Sequence, residues 1–183
     1  LASMRLYGGP AARGAAVAYI ELVRGTPLLI QLYLLYFGLP SIGVNLHPLV
    51  AGVLGLGLNY AAYEAENYRA GILAVPRHQM EAALSLGLTA RQAFRTVILP
   101  QAVRVSLPTV TNDFIALLKD SSIVSMISIT ELASRSRVLT GAKFDYLGIA
   151  LLTAALYFLM GYPFAWMARR LEKRLSVHLH APA

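Results

Sequence analysis

Apolar residues collect in runs of near-membrane length, separated by short stretches where polar and charged residues gather. About 20 mostly apolar residues cross a bilayer as a helix. Four stretches approach that length, at 19–39, 48–68, 103–118 and 146–168. The first carries Glu21, Arg24 and Pro27 early, so its entry is expected to bend at Gly25-Thr26-Pro27, where proline removes a donor and disfavours helix before it. The second is rich in Gly and Ala, the third contains Pro108, and the fourth is the cleanest. Residues 74–100, between the second and third, are too polar to span. There Met80, Ala83, Leu84 and Leu88 recur at roughly helical spacing. Pro76 opens the segment, and Thr89 with Gln92 fits a capping box. Gly87 supplies a turn that a residue with a β-carbon would resist. The pattern predicts two short helices on the membrane face with a glycine bend between them. Val97-Ile98-Leu99 then leads to Pro100, which is expected to reset the chain for the third span.

Composition agrees. The 183 residues are 57% hydrophobic and 14% charged, with mean hydropathy +0.58, whereas soluble domains carry about 25% charge. An all-α membrane protein is expected. With no cysteine, disulfides and thiol chemistry are excluded. The formal charge of +7 comes from cations beside apolar runs, so it reads as topology rather than nucleic-acid binding. Arg77, Arg91 and Arg95, and the group Arg169, Arg170, Lys173 and Arg174, place 74–100 and the carboxyl terminus in the cytoplasm. Arg5, Arg13 and Arg24 fall on the same side by alternation. The link 40–47, without Lys or Arg, faces outward. The link 121–145 should also lie outside, yet it holds Arg135, Arg137 and Lys143, and is expected to be a folded external gate region. Residues 176–183 read as a frayed tail. The opening residues have no long apolar core and do not form a signal peptide. Position 1 is not Met, which is expected of a fragment.

Glu81-Ala82-Ala83, with Gly87, Leu99 and Pro100 at their distances, resembles the EAA signature of ABC importer membrane subunits. The surrounding blocks extend the likeness: Glu21-Leu22-Val23-Arg24-Gly25-Thr26-Pro27-Leu28-Leu29, Asn59-Tyr60-Ala61-Ala62-Tyr63-Glu64-Ala65-Glu66 with Arg69 and Gly71-Ile72, Asn112 through Ser122, and Arg169-Arg170-Leu171-Glu172. Over 19–175 the chain resembles the permease subunits of polar amino acid ABC importers, the histidine, glutamine and arginine permease family. Val97 stands where the signature usually has Ile. The resemblance implies a type I importer-like transmembrane domain, a single domain over 1–183. Four spans are present of an expected five, with the first missing. It also implies a cytoplasmic coupling segment at 74–100, in which Glu81, Ala82, Ala83, Gly87, Leu99 and Pro100 meet the ATPase. Implied partners are an ABC ATPase dimer, a second permease subunit (identical or homologous), an external substrate-binding protein, an amino acid and the bilayer. ATP and Mg would bind the partner ATPase, and no cofactor binds this chain. Transport would proceed by alternating access in the bacterial inner membrane. The bland reading of 74–100 is an interfacial amphipathic helix without a partner.

Ionisable groups at membrane depth are costly and point to function. Asp113 and Asp120 are seven residues apart, on one face of a regular helix. Thr109, Thr111 and Asn112 lie nearby. Such a face suits an amino group or a cationic side chain, and Asp113, where many relatives carry Gln, argues for a basic substrate. Alternatively, Asp120 caps the outer end beside a cation, with adjacent Lys119 as one option. Glu66 and Arg69, at i and i+3, fit an ion pair near the cytoplasmic interface. Gly52, Gly55 and Gly57 fit close helix packing better than a nucleotide loop. Tyr33, Tyr36 and Phe37 read as belt or core. No G-x-x-x-x-G-K-[ST] loop, zinc-ligand spacing or Ser/His/Asp set is present, and His178 and His180 are poorly placed for one helix face. The chain is therefore read as no enzyme. The resemblance implies the permease subunit of an ATP-driven, binding-protein-dependent importer of polar amino acids, and Asp113 points to basic ones among them. The alternatives are a stand-alone carrier or channel coupled through Asp113 and Asp120, and a non-transporting scaffold.

Overall fold

The computed structural model describes residues 1–176, and no strand forms among them. Helix α1 is Ala2–Tyr7 and α2 is Pro10–Arg24. Proline suits the first position of α2 because the donor it lacks would have no partner there. Helix α3, Leu28–Tyr33, continues through a π-helical turn, Leu34–Gly38, into a 3-10 turn, Leu39–Ile42. The expected break at Gly25-Thr26-Pro27 is present, and the helices on either side, Pro10–Arg24 and Leu28–Ile42, meet at 103°. The first apolar stretch is thus two helices rather than one gently bent span. Helix α4 is Pro48–Ala74, again opened by proline, and outruns its expected end at 68.

The polar segment forms α5, Arg77–Ser85, and α6, Ala90–Ala93, as two short helices around Gly87. A second π-helical turn, Phe94–Ile98, then joins α6 directly to α7, Leu99–Asp120. Pro100 therefore does not reset the chain. Proline cannot donate to the carbonyl four residues back, and its ring crowds that carbonyl. In the π turn the preceding residue, Leu99, donates to Phe94 O instead, five residues back. The widened turn absorbs the proline within a continuous helix. Pro40 is carried the same way, with Leu39 donating to Leu34 O. Pro108 sits inside α7 without ending it. A 3-10 turn, Ser121–Ile127, leads to α8, Leu132–Lys143, and to α9, Tyr146–Ser176. The link 121–145 is therefore folded, as expected. Residues 177–183, with His178, His180 and most of the expected tail, lie outside the described residues.

The chain forms two compact units. One holds Leu1–Glu21, Ala62–Asn112 and the chain from Ala168; the other holds Leu22–Ala61 and Asp113–Met167. In the first, Val75, Ile98 and Ala102 are buried, with Ile72, Met80 and Phe94 packed on them, and Tyr7 meets Phe94 edge-on at 5.9 Å. In the second, Leu32, Ala51, Val124 and Ile127 form the core, with Tyr36 packed against it and Phe37 mostly exposed. A β-carbon on Gly52 would come within 2.9 Å of Ile129 Cδ1, and one on Gly55 within 2.4 Å of Leu32 Cδ2, so both glycines serve close packing as expected. Gly57 does not, since a β-carbon there would meet nothing within 4 Å.

Among the described residues one helix is by itself long and apolar enough to cross a membrane: Tyr146–Leu171, mean hydropathy 1.7. The bent pair of α2 with α3 to Ile42 passes only together. Helices α4 and α7 have 27 and 22 residues. Asn59, Glu64, Glu66 and Arg69 on α4, and Arg104, Asn112 and Asp113 on α7, dilute their apolar character. The four-span expectation rests on length as much as hydropathy. In α9, Leu147, Leu151, Phe158 and Leu159 are each more than half exposed. That much bare apolar surface suits lipid rather than water.

The bend before α3 is held by polar side chains. Thr26 Oγ1 donates to Leu22 O at 2.9 Å. Gln31 Nε2 lies 2.7 Å from Val23 O and 3.1 Å from Thr26 O, and Gln31 Oε1 accepts from Asn59 Nδ2 at 3.1 Å. Asn59 is buried. Replacing Gln31 with leucine removes partners from Asn59 and from the freed α2 carbonyl. It should cost about 1–3 kcal/mol, the penalty for stranded buried polar groups. A thermal melt of the detergent-solubilised complex reads this, and an unchanged midpoint would contradict it.

Candidate coupling surface and intramembrane carboxylates

Three local rules shape the segment around Glu81. Pro76 caps α5 in an extended conformation. Thr89 and Gln92 form the expected capping box on α6, with Thr89 N donating to Gln92 Oε1 at 2.9 Å and Gln92 N to Thr89 Oγ1 at 3.4 Å. Between them α5 ends in a Schellman motif. Gly87 N donates to Leu84 O at 2.9 Å and Leu88 N to Ala83 O at 3.2 Å, with Gly87 at φ +83°. The signature glycine is thus required by backbone geometry.

This architecture divides the signature residues by role. Ala83 is buried, and a larger side chain there would push α5 off its support. Glu81, Ala82, Leu84, Ser85 and Leu86 are exposed, Leu86 to 84%. Leu84 and Leu86 thus stand bare beside the Glu81 carboxylate. Leu99 and Pro100 are also exposed but start α7, directly after the π turn. The fold therefore brings Glu81, Ala82 and Leu86 to one short element, and it places Leu99 and Pro100 on the helix that follows.

On α4, Glu66 carries two arginines. Arg69 Nε and Nη2 lie 3.0 and 2.8 Å from Glu66 Oε2, the i, i+3 pair expected from the sequence, and Arg5 reaches Glu66 Oε1. The Arg5 contact joins α1 to α4 across 61 residues, a separation no local pattern reveals. Glu64 hydrogen-bonds Tyr68, four residues on.

On α7, Asp113 and Asp120 are both half-buried. The bond given to Asp120 comes from Tyr60 Oη, at 2.8 Å, rather than from adjacent Lys119. It closes one end of α7 onto α4 beside a cavity of about 450 Å³ that Tyr60, Gly57, Phe114 and Leu118 help to line. Gly57 thus leaves open space. Thr109 and Asn112 are exposed on α7. Thr111 turns its hydroxyl back to Leu107 O at 2.7 Å, away from any ligand role.

The chain matches the family model for the inner membrane component of binding-protein-dependent transport systems over residues 1–177. It is 41% identical to YckA, a probable amino-acid ABC transporter permease of Bacillus subtilis (strain 168), covering 90% of this chain and 73% of that protein. It is 42% identical to PatM, a probable amino-acid ABC transporter permease of Vibrio harveyi, covering 86% and 72%. Among solved structures it superimposes on an amino acid ABC transporter crystallised with histidines, with a TM-score of 0.88, 42% identity and 94% of this chain covered against 81% of that one. The fold, at 19% identity and a TM-score of 0.74, is also that of the MetNI methionine ABC transporter in inward-facing conformations.

Proposed function

We propose, since this chain belongs to the family of binding-protein-dependent transport system inner membrane components, that it is the permease of an ATP-driven importer of polar amino acids. The relatives named above are amino-acid ABC transporter permeases, which leaves the stand-alone carrier or channel without support. The observation that carries the reading is the capped, exposed α5 with Glu81, Ala82 and Leu86 outward and Ala83 buried. In this reading a partner ATPase dimer binds ATP and Mg and presses on that surface. Gly87 holds the turn, and Leu99 and Pro100 carry the movement into α7. A second permease subunit, identical or homologous, completes the pathway, and an external binding protein delivers the amino acid. Arg169 and Arg170, at the apolar end of α9, support a cytoplasmic carboxyl terminus.

Asp113 is our candidate for contact with the substrate's cationic group, with Asn112 and Thr109 as neighbours. Asp120, bonded to Tyr60, serves first to shape the helix end. The test is ATPase stimulation of the reconstituted complex by a panel of amino acids, each with its binding protein, for wild type and Asp113→Asn. Selective loss of stimulation by basic amino acids is the expected result. Equal stimulation of both forms by neutral amino acids would remove Asp113 from the pathway and move selectivity to the binding protein.

A further inference from the structure

Two arginines ahead of α7 are answered by no acid in the chain. Between residues 74 and 112 stand Arg77, Arg91, Arg95 and Arg104 against the single acid Glu81. Arg91 and Arg95 are four residues apart and both exposed. Among the described residues neither makes an ion pair or a side-chain hydrogen bond. At that spacing on helical backbone they share one side. The next positions at the same interval are Leu99 and Val103, also exposed, while Ala93, Ile98, Ala102 and Ser106 are buried. One row of the helix thus changes from cationic to apolar as it leaves the polar segment.

The apolar part of that row is one wall of a groove. Leu99, Val103, Leu107 and Val110 of α7, with Tyr68 and Ile72 of α4, line a cavity of about 320 Å³ within the first compact unit. The two hydroxyls of its lining are already engaged. Ser106 Oγ donates to Ala102 O at 2.9 Å, and Tyr68 is bonded to Glu64. The groove therefore offers a guest mainly apolar contact. From Leu99 to Val110 it rises about 16 Å at 1.5 Å per residue, about half the ~30 Å hydrocarbon core of a bilayer. A helix about 10 Å across is too thick for it; an acyl chain is not.

We infer that this groove holds one acyl chain of an anionic phospholipid whose phosphate sits against Arg91 and Arg95. Guanidinium groups suit phosphate oxygens, and a basic mouth on a cleft between membrane helices favours a headgroup of net negative charge. The inference goes beyond the importer function, since it needs only that the chain lies in a membrane. The topology read from the loop charges sets α6 at the cytoplasmic face, where anionic lipid makes the surface negative. A lipid held there fills the gap between α4 and α7 and ties the polar segment to the bilayer.

The test titrates the assembled, detergent-solubilised complex with phosphatidylglycerol and with phosphatidylcholine and counts bound lipid by native mass spectrometry. Wild type should half-saturate its tightest site with phosphatidylglycerol at a concentration at least about tenfold below that for phosphatidylcholine. Arg91→Gln with Arg95→Gln should erase that preference, while Arg135→Gln with Lys143→Gln, exposed cations of the other unit, should keep it. Val103→Trp, at a half-exposed position, should weaken both lipids by blocking the groove. Thermal midpoints without added lipid check that each variant is folded. Wild type alone supplies a further arm: a short-chain phosphatidylglycerol should bind at least about tenfold more weakly than a long-chain one, because it leaves apolar lining uncovered. Wild type that binds the two headgroups alike, or a double variant that keeps the preference, overturns the proposal. Full displacement by inorganic phosphate, with binding unchanged in Val103→Trp, assigns the arginines to a soluble anion and also overturns it. An assembled complex that takes up no lipid, its groove closed by a second permease subunit, overturns it as well.

Discussion

Valine at position 87 should nearly abolish amino acid uptake, while asparagine at the same position keeps much of it. The reason is conformational. Gly87 sits at φ +83°, and an added β-carbon would meet nothing within 4 Å. Space is therefore not at issue, only the left-handed backbone. That conformation costs an ordinary residue about 1–2 kcal/mol and a β-branched one more, whereas asparagine visits it routinely. Each 1.4 kcal/mol is about tenfold in an equilibrium, so valine should depopulate the Schellman turn by at least about that factor. Losing the turn releases the Gly87–Leu84 and Leu88–Ala83 bonds and with them the placement of Glu81 and Leu86. Uptake and stimulated ATPase in proteoliposomes give the answer, with co-purification of the ATPase as the assembly check. Equal activity for valine, asparagine and glycine would mean that the turn does not set the coupling surface.

Alanine at position 71 should destabilise the protein more than alanine at any other glycine of α4. A β-carbon on Gly71 would lie 1.9 Å from Ser106 Oγ and 2.8 Å from the Ala102 carbonyl oxygen. The hydroxyl can rotate away; the carbonyl belongs to α7 and cannot. In lipid the apolar effect does not drive helices together, and close packing carries the association. Prising α4 from α7 should cost about 1–3 kcal/mol, the usual range for overpacking. Adding Ser106→Ala should recover only part, because the carbonyl contact remains. Gly57→Ala is the control, with open space around it. Thermal midpoints of the three variants in one detergent decide the matter. Equal loss at 57 and 71 would contradict the packing argument.

The features readable in the sequence were the local ones. The Thr89–Gln92 box, the Gly25–Pro27 break, the Pro76 opening of α5 and the Glu66–Arg69 pair each lie within about one helical turn, where spacing alone fixes geometry. The glycine of the signature was readable as a turn, though its Schellman bonding was not. Contacts between distant residues were invisible: Arg5 to Glu66, Tyr60 to Asp120, Gln31 to Asn59. Nothing in a single sequence says which of several polar side chains on two helices will meet. Pro100 misled for another reason. As a breaker it should interrupt, but a neighbouring turn can change its hydrogen-bond step and carry it. The polar residues of α4 and α7 likewise blur the signal of a membrane helix, because a hydropathy window counts each amide or ionisable side chain against it.

The π turn at Phe94–Ile98 also acts as a phase setter. It takes in one residue more than an α-helical turn would, and a residue is worth about 100° of rotation at 3.6 per turn. Every azimuth along α7, including those of Asp113 and Asp120, is thus displaced by nearly a third of a revolution from where an uninterrupted helix starting at Ala90 would aim it. The rotational register of α7 is thus set by the five residues that precede it, Phe94–Ile98.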